Sequence, residues 1–343
     1  MRRAVDSRAN IRDVARAAGV SVTTVSHTLN RTRFVSEDAR TRVEDAVRAL
    51  GYVPSAVARS LKHNETRTLG MLVPNSSNPY FAEIIRSVER QCHLEGYNLV
   101  LCNSDDDVQR QAEHLRMLAE RRVDGLVFVA SGDDAQVREA LAELQLPVVL
   151  VDREIDGSGR ADLVQSDHAS GAELATRHLL SLGHERIVCI GGPVSLRPSQ
   201  QREAGWQRAL VTAGQVAGTS EVIRGDFTAQ GGYAAMHHLL GLRARPSAVF
   251  VCNDMMAIGA LHAVQQAGLA VPRQLSVVGF DDIDLAAYTM PPLTTVAQPK
   301  EAIGAETTRL LLERIRGERG EARRTILQPE LRLRASTGRP AAQ

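Results

Sequence analysis

Side chains that could bind a hydroxylated ligand stand at the ends of several short apolar runs in this sequence. Carboxylates, amides and guanidinium groups present paired hydrogen-bond acceptors and donors that match adjacent hydroxyl groups. Aromatic rings among them offer apolar faces to the C–H side of a sugar ring. The candidate ligand-binding residues are Asn78, Tyr80, Phe81, Asp152, Arg153, Arg202, Phe227, Asn253, Asp281 and Gln298.

Runs rich in Val and Leu precede most of these residues and must position them. From Thr68 onwards the runs are 69–73, 97–102, 125–130 and 147–152, followed by 186–191, 221–226, 248–254 and 275–282. Amphipathic helical stretches separate the runs, which predicts parallel sheets covered on both faces. Ligands of such sheets bind beyond the carboxyl ends of the strands, where the candidates lie.

The two series of runs predict an α/β protein with two doubly wound subdomains and a cleft between them. We expect the first subdomain to hold residues 68–167 and 299–324, including a helix over 301–316. The second should hold 168–298 and 325–343, including a last strand near 324–336. Each candidate also has a structural alternative, because an Asp at a strand end often caps a helix and Phe is usually core.

The segment from Ile11 to Asn30 predicts two short helices joined by a tight turn. Asn10 and Asp13 suit a capping box, and Gly19 suits the left-handed residue after a helix. In the second helix Val22, Val25 and Leu29 should face the first helix. Ser21 should cap this helix, and the opposite face carries Thr23, Thr24, Ser26 and His27, whose short hydrogen-bonding groups suit a helix-turn-helix reader of the major groove. All five are candidate DNA-binding residues. The alternative is an ordinary helical hairpin.

A third helix, capped by Ser36, completes a predicted headpiece over residues 1–53. Residues 54–67 should then form a short helix and linker. The charges are divided in the same way, because residues 1–67 hold 13 Arg and Lys against 7 Asp and Glu. The rest of the chain holds 28 basic and 33 acidic residues. A basic end on a mildly acidic body fits a DNA-binding module fused to a sensor.

The stretches IRDVARAAGVSVTTVSHTLN and FVSEDARTRVEDAVRALGYVPSAVARSLK closely resemble the headpiece of the lactose-repressor/galactose-repressor family of bacterial transcription regulators. The resemblance implies operator binding by a homodimer and a hinge helix that orders on DNA. Leu61 resembles the wedge that such hinges insert into the minor groove. The resemblance adds Arg33, Ser55, Ala58, Leu61 and Lys62 to the DNA-binding residues.

The rest of the chain, to about Ser336, resembles the family's sensor, which is similar to periplasmic sugar-binding proteins. The candidate ligand residues resemble the contacts of periplasmic ribose-binding proteins one by one, except that Tyr80 stands where those usually have Phe. This implies D-ribose as an inducer. A purine-responsive repressor with a nucleobase corepressor stays an alternative, because PYFAEII and AQPK resemble purine repressors nearly as well.

Other classes of protein are disfavoured by motifs that the sequence lacks. No GxGxxG follows a strand, and neither a P-loop nor a GxSxG elbow is present, so we expect no enzyme. Four widely spaced cysteines predict buried thiols, and we expect no metal and no cofactor. No apolar run is long enough for a membrane span and no signal peptide is recognisable, which predicts a cytoplasmic protein.

Overall fold

The computed structural model describes residues 9–53, 65–130, 134–155, 161–215, 221–318 and 320–341. The chain divides into two compact units, Met1–Thr66 and Arg67–Gln343, which are described separately. The predicted hinge residues Ser55, Ala58, Leu61 and Lys62 lie outside the described residues.

In residues 9–53 the first unit forms three helices, α1 (Ile11–Ala18), α2 (Val22–Asn30) and α3 (Glu37–Leu50). The predicted capping box is present, since the Asn10 side chain accepts from the amides of Arg12 and Asp13 while Asp13 accepts from the Asn10 amide. Gly19 follows α1 with φ of 63°, a conformation that glycine adopts without a Cβ penalty. These local bonds fix the turn between α1 and α2.

The core of this unit is small, and one predicted core residue lies outside it. Val14, Val25 and Val43 are fully buried, one from each helix. Val22 was expected to face α1 but is 41% exposed. It occupies the first position of α2, where the helix has only begun to run along its neighbour, so Val25 and Leu29 form the inner face.

The first half of the second unit alternates strands and helices. In chain order they are β1 (Thr68–Val73), α4 (Pro79–Leu94), β2 (Asn98–Asn103), α5 (Val108–Glu120), β3 (Gly125–Phe128), α6 (Asp134–Glu143), β4 (Val148–Val151) and β5 (Asp162–Ser166). The sequence analysis did not predict β5, whose ends are polar.

The alternation continues through the second half. The elements are α7 (His168–Ser181), β6 (Ile187–Gly191), α8 (Arg197–Thr212), β7 (Val222–Arg224), α9 (Ala229–Leu240), β8 (Ala248–Val251), α10 (Asp254–Gln266), β9 (Ser276–Asp281), a 3-10 helix (Asp284–Tyr288), β10 (Thr294–Ala297), α11 (Lys300–Ile315), β11 (Arg324–Leu327) and β12 (Glu330–Arg332).

The strands form two six-stranded sheets, as the two series of apolar runs predict. Their orders are β11-β5-β4-β3-β1-β2 and β12-β10-β9-β8-β6-β7. All neighbours are parallel except β12, which runs antiparallel to β10. The strand order reverses between β1 and β3 and between β6 and β8, and each reversal opens a crevice at the carboxyl ends.

One predicted boundary is wrong. The last strand was assigned to the second subdomain over about 324–336, but β11 pairs in parallel with β5 of the first sheet. Only β12 joins the second sheet, so the chain crosses back near residue 328 instead of 324. The reason is a long-range pairing of β5 with β11, a half-exposed strand that apolar periodicity does not reveal.

The interior of the second unit is apolar and includes the cysteines. Phe128, Phe250 and Phe280 are among its largest fully buried side chains. All four cysteines are buried free thiols, as predicted. Among the helices of the described residues, none is long and apolar enough to cross a membrane.

Candidate functional site

A cavity of about 400 Å³ lies where the carboxyl ends of the two sheets face one another. Both subdomains contribute to its walls, and nine of the ten predicted ligand residues are among the lining side chains. The exception is Gln298, which lies behind the wall. The lining residues are Pro74, Asn75, Asn78, Tyr80, Phe81, Asp106, Val129, Ala130, Asp152, Arg153, Pro193, Ser195, Leu196, Pro198, Arg202, Asp226, Phe227, Thr228, Asn253 and Asp281.

Four cavity residues have backbone conformations that non-glycine residues rarely adopt, and one of them is the loop residue Asp106, with φ of 57°. The other φ angles are 66° at Asp152, 67° at Phe227 and 118° at Asp281. Each such residue costs of the order of 1–3 kcal/mol and persists only where its surroundings hold it. Asp152 directly follows β4, Asp281 ends β9 and Phe227 lies three residues after β7, so these strained positions bring side chains at the sheet edges to the cavity lining.

A buried chain of hydrogen bonds links the two sides of the cavity. The Tyr80 hydroxyl donates to Oδ1 of Asp152 at 2.6 Å and also lies 3.1 Å from Oε1 of Gln298. Nε2 of Gln298 donates to Oδ1 of Asp281 at 2.8 Å. Gln298 therefore lies between Tyr80 of the first subdomain and Asp281 of the second, behind the residues that line the cavity.

Arg202 is the charge at the centre of the second wall. Its Nη1 lies 3.5 Å from Oδ1 of Asp281 and donates to the Cys252 carbonyl at 2.5 Å. The guanidinium stacks 4.0 Å from the centre of the Phe280 ring, an arrangement that favours a desolvated arginine. Arg202 is only 3% exposed, so its remaining edge faces the cavity from a fixed position.

Burial changes the pKa of two groups that line the cavity, one from each subdomain. Desolvation raises the pKa of the Asp281 carboxyl to about 6, although Arg202, Gln298 and Lys300 act against the rise. Desolvation and the nearby Asp152 carboxylate raise the pKa of Tyr80 well above its ordinary value. Near neutral pH Asp281 is therefore an acceptor, and Tyr80 is a neutral hydrogen-bond donor.

His168 belongs to the site, although the sequence analysis passed over it. It begins α7 and is 1% exposed. Its Nδ1 lies 3.4 and 3.3 Å from Nε and Nη2 of Arg202, and since a guanidinium only donates, Nδ1 must accept. Nε2 then carries the proton and donates to the Asp152 carbonyl at 3.2 Å. Burial lowers the pKa of His168 to about 4, which keeps it neutral.

The two asparagines serve the backbone as well as the cavity. Asn78 caps α4 by accepting from the Tyr80 amide at 3.0 Å. Asn253 caps α10 through Oδ1 and donates from Nδ2 to the Phe227 carbonyl at 3.0 Å. The structural alternative therefore holds for both residues, and each keeps part of its amide at the cavity.

The aromatic residues lie on two sides of the cavity. The Tyr80 and Phe81 rings have centroids 5.1 Å apart and are inclined by 58°. Phe227 belongs to the second subdomain. A Cβ at Gly192 would lie 2.4 Å from the Phe227 ring. The Phe227 ring can therefore occupy this position only because residue 192 is a glycine and has no Cβ.

The formal charge of the cavity lining is negative. Asp106, Asp152, Asp226 and Asp281 oppose Arg153 and Arg202, an excess of two negative charges. Asp106 and Asp226 were not among the candidates, although Asp226 ends the predicted run 221–226. Within the described residues no group of three His, Cys, Asp or Glu side chains is placed to hold a metal ion.

The predicted DNA-reading face is a separate surface on α2. Thr23 and Arg33 are exposed, while Thr24, Ser26 and His27 are partly exposed. Ser21 caps α2 by accepting from the Thr24 amide at 3.0 Å, so its oxygen is already engaged. Nδ1 of His27 lies 2.8 Å from the Thr32 hydroxyl, which fixes the ring and leaves Nε2 for another partner.

Comparisons with known proteins cover both units. A sequence profile of bacterial regulatory proteins of the lacI family matches residues 10–55, and one of the periplasmic binding protein-like domain matches 176–337. The transcriptional repressor PurR of Photobacterium profundum is 43% identical over 329 residues, covering 96% of this chain and 98% of that protein. The ribose operon repressor of Escherichia coli K12 is 43% identical over 330 residues, covering 96% and 99%.

A solved structure is similar along nearly the whole chain. It is the lac repressor dimer bound to operator and the anti-inducer ONPF, with 29% identity and a TM-score of 0.88. The similarity covers 97% of this chain and 100% of that one.

Proposed function

The chain belongs to the lacI family of bacterial regulatory proteins, and from that membership we propose a transcriptional repressor whose operator binding is relieved by D-ribose. It is a regulator and not an enzyme, it needs no cofactor, and it acts in the cytoplasm. Two relatives of similar identity have different names, PurR and ribose operon repressor. The choice of effector for this chain therefore rests on the cavity.

The headpiece supports the DNA-binding part of the proposal. Thr23 and His27 of α2, with Arg33 in the following loop, would contact base edges, and Ser21, Thr24 and Ser26 would lie against the backbone. The solved lac repressor is a dimer on its operator. We therefore propose a homodimer on a pseudo-palindromic site, because two-fold protein symmetry matches two half-sites.

One observation supports the choice of ribose: hydrogen-bonding groups from both subdomains line the same cavity, and they include both acceptors and donors. Asp152 of the first subdomain faces Asp281 and Arg202 of the second, and all three are at least nine-tenths buried. Adjacent hydroxyl groups can donate to the carboxylates and accept from the guanidinium. Hypoxanthine has two N–H donors where ribose has four hydroxyl groups, so the base would leave more acceptor positions of the two buried carboxylates without a donor.

The ligand would act by changing the angle between the subdomains. Because its partners come from both, its binding favours the arrangement in which all of them reach it. In a dimer that arrangement would separate the two hinge segments and weaken operator binding. Only a difference in affinity for the two arrangements can produce this effect.

A purine corepressor is the second candidate, and the aromatic side chains favour it. Tyr80, Phe81 and Phe227 border the cavity, and a flat base could lie between them. The inclination of 58° between the first two rings argues against a flat slot on that side.

Operator binding in a gel-shift titration decides between the two effectors. The operator would first be selected from random duplex DNA with the full chain. Release of that operator by D-ribose at millimolar concentration, with no response to hypoxanthine or guanine, is the expected result. Tighter operator binding on adding hypoxanthine or guanine, without any response to ribose, would replace the proposal by the purine alternative.

A further inference from the structure

Lys300 lies at the junction between the subdomains, on the side away from the effector cavity. It is the first residue of α11, and its side chain is 11% exposed. Its Nζ is 2.9 Å from Oε2 of Glu83 and donates to the carbonyls of Asp281 and Asp282 at 2.9 and 2.5 Å. The ammonium has three donors, and all three have partners.

These partners belong to different subdomains. Glu83 is on α4 of the first subdomain, while Asp281 ends β9 of the second and Asp282 follows it. Glu83 also accepts from the Asp284 amide through Oε1, at 3.3 Å. The Glu83 carboxylate is therefore connected to the segment 281–284 directly, through the Asp284 amide, and indirectly, through Lys300.

Lys300 moves with the first subdomain, because α11 and α4 are in close contact. A Cβ at Gly304 would lie 2.3 Å from Oγ of Ser87, so the two helices approach as closely as glycine allows. The Ser87 hydroxyl also donates to the Glu301 carbonyl at 3.0 Å. The bonds from Lys300 to Asp281 and Asp282 are therefore contacts across the junction.

The segment that Lys300 holds is conformationally strained. The φ angle is 118° at Asp281 and 53° at Asp282, and neither residue is glycine. Such a backbone needs bonds that hold it in place. Lys300 binds the carbonyl of the same residue whose carboxylate faces the effector cavity, but neither Lys300 nor Glu83 lines that cavity.

We propose that Lys300 and Glu83 are positioning residues that hold the Asp281 carboxylate in the effector site. They also transmit the binding of a ligand in that site to α4. For the effector the inference rests on the proposed function. When a ligand draws Asp281 towards the first subdomain, the carbonyls of Asp281 and Asp282 move relative to Lys300. The bonds to Nζ then favour one angle of the subdomains over the other.

The test uses the full chain with Lys300→Met, Glu83→Met and the double variant. Arg90→Met is the matched control, because Arg90 pairs with Glu301 between the same two helices but on their exposed surface. Ligand affinity is measured by calorimetry with D-ribose and hypoxanthine. The ratio of operator affinities without and with ligand gives the coupling.

We expect Lys300→Met to weaken ligand binding about tenfold and to lower the coupling ratio, while operator affinity without ligand stays within about twofold. The double variant should lose less than the sum of the two single variants, since both changes break the Lys300–Glu83 contact. Ligand affinity and coupling unchanged in both single variants would overturn the inference. So would equal losses in Arg90→Met, which would indicate a general effect of helix packing.

Hydrogen exchange of the peptide containing residues 281–284 gives a readout that needs no ligand. Exchange should be faster in both single variants than in the wild type and the control, and unchanged exchange would refute the inference. If the wild type bound neither ligand, the proposed effectors would be wrong, and hydrogen exchange alone would decide this inference. Should Lys300→Met fail to fold, Glu83→Met decides it by the same measurements.

Discussion

At the scale of single residues, the effector site depends on charges that the fold keeps out of water. Asp281 shows the consequence, because burial raises its pKa to about 6 while Arg202 and Lys300 keep it from rising further. His168 shows the opposite shift, to about 4, and is therefore a neutral acceptor for Arg202. The site thus contains one group that titrates just below neutral pH and one that does not.

Ligand affinity should fall as the pH is lowered from 7.5 to 5. At a pH below its pKa of about 6, the Asp281 carboxyl is mostly protonated and can no longer accept hydrogen bonds at both oxygens. At pH 5 about a tenth of it is ionised, so D-ribose should bind about tenfold more weakly. Calorimetry across this range measures it. Asp281→Asn should bind weakly at every pH, and a slope that survives in this variant would assign the effect to another group.

The excess of negative charge in the cavity should exclude phosphorylated sugars. Asp106 and Asp226 are carboxylates of the lining without a cavity arginine of their own. A phosphate brings nearly two more negative charges at neutral pH. Ribose 5-phosphate should therefore bind at least about tenfold more weakly than ribose, a difference of about 1.4 kcal/mol. The double variant Asp106→Asn/Asp226→Asn should reduce the difference in affinity between ribose and ribose 5-phosphate. Equal affinities of the wild type for the two sugars would contradict the prediction.

At the scale of secondary-structure elements, the ends of the helices and strands do the positioning. The caps of α4 and α10 are also cavity residues, Asn78 and Asn253, so the bond that starts each helix also fixes a side chain of the site. In the headpiece Ser21 begins α2 in the same way and turns its polar face outward.

The outward face of α2 predicts the effect of two substitutions on operator choice. Thr23→Ala and His27→Ala should each lose about 1–3 kcal/mol of discrimination between operator and random DNA. Competition gel shifts at fixed salt measure the ratio. Thr41→Ala, on the exposed surface of α3, is the control and should leave it unchanged. If both α2 variants kept the wild-type ratio, another surface would read the DNA.

The unpredicted strand β5 has a buried ion pair that can be tested by stability. Asp162 is 0% exposed and accepts from Nε of Arg314 on α11 at 2.5 Å and from the Arg323 amide. Removing one partner of such a pair leaves an uncompensated buried charge. Arg314→Met should therefore lower the free energy of unfolding by about 3–5 kcal/mol.

Arg316→Met is the matched control for that measurement. Arg316 pairs with Glu95, and both side chains are about half exposed. Exposed pairs contribute about 0–1 kcal/mol. Denaturant unfolding of both variants gives the comparison, and similar small losses would argue against the pairing of β5 with α11 and β11.

At the scale of the whole molecule, the proposed repressor has two binding functions on two compact units. The headpiece and the sensor are separated by residues 54–64, which lie outside the described residues. The prediction that Leu61 kinks DNA from this segment stays a prediction. The sensor by itself contains the cavity, the strained segment 281–282 and the contacts across the junction.

Thermodynamic linkage gives a prediction for the complete protein. If ribose lowers operator affinity by some factor, operator DNA must lower ribose affinity by the same factor, because the coupling is one free energy. Couplings of this kind are typically about 1–3 kcal/mol, or about 5–150-fold. Titrating ribose into the free protein and into the operator complex should give that ratio. Equal ribose affinities, together with ribose-dependent release, would mean that release does not occur through binding to this cavity.

Much of the molecule was determined by local sequence patterns. The capping box at Asn10, the glycine at 19 and the alternation of apolar strands with helices act within a few residues, so they can be read without the fold. The strand ends followed from the same alternation. Since ligands of parallel sheets bind at those ends, nine ligand candidates were placed at the cavity from sequence reasoning that included a family resemblance.

Only the tertiary structure decided which distant segments meet. The pairing of β11 with β5 joins residues about 160 positions apart. His168 and Lys300 are unremarkable in the sequence, and they matter because folding brings them to Arg202 and to the Asp281 carbonyl. For the same reason Gln298, which was predicted to contact the ligand, lies behind the cavity lining between Tyr80 and Asp281. Such relations depend on pairing and burial between sheets, whose free energy appears only when both partners are in place.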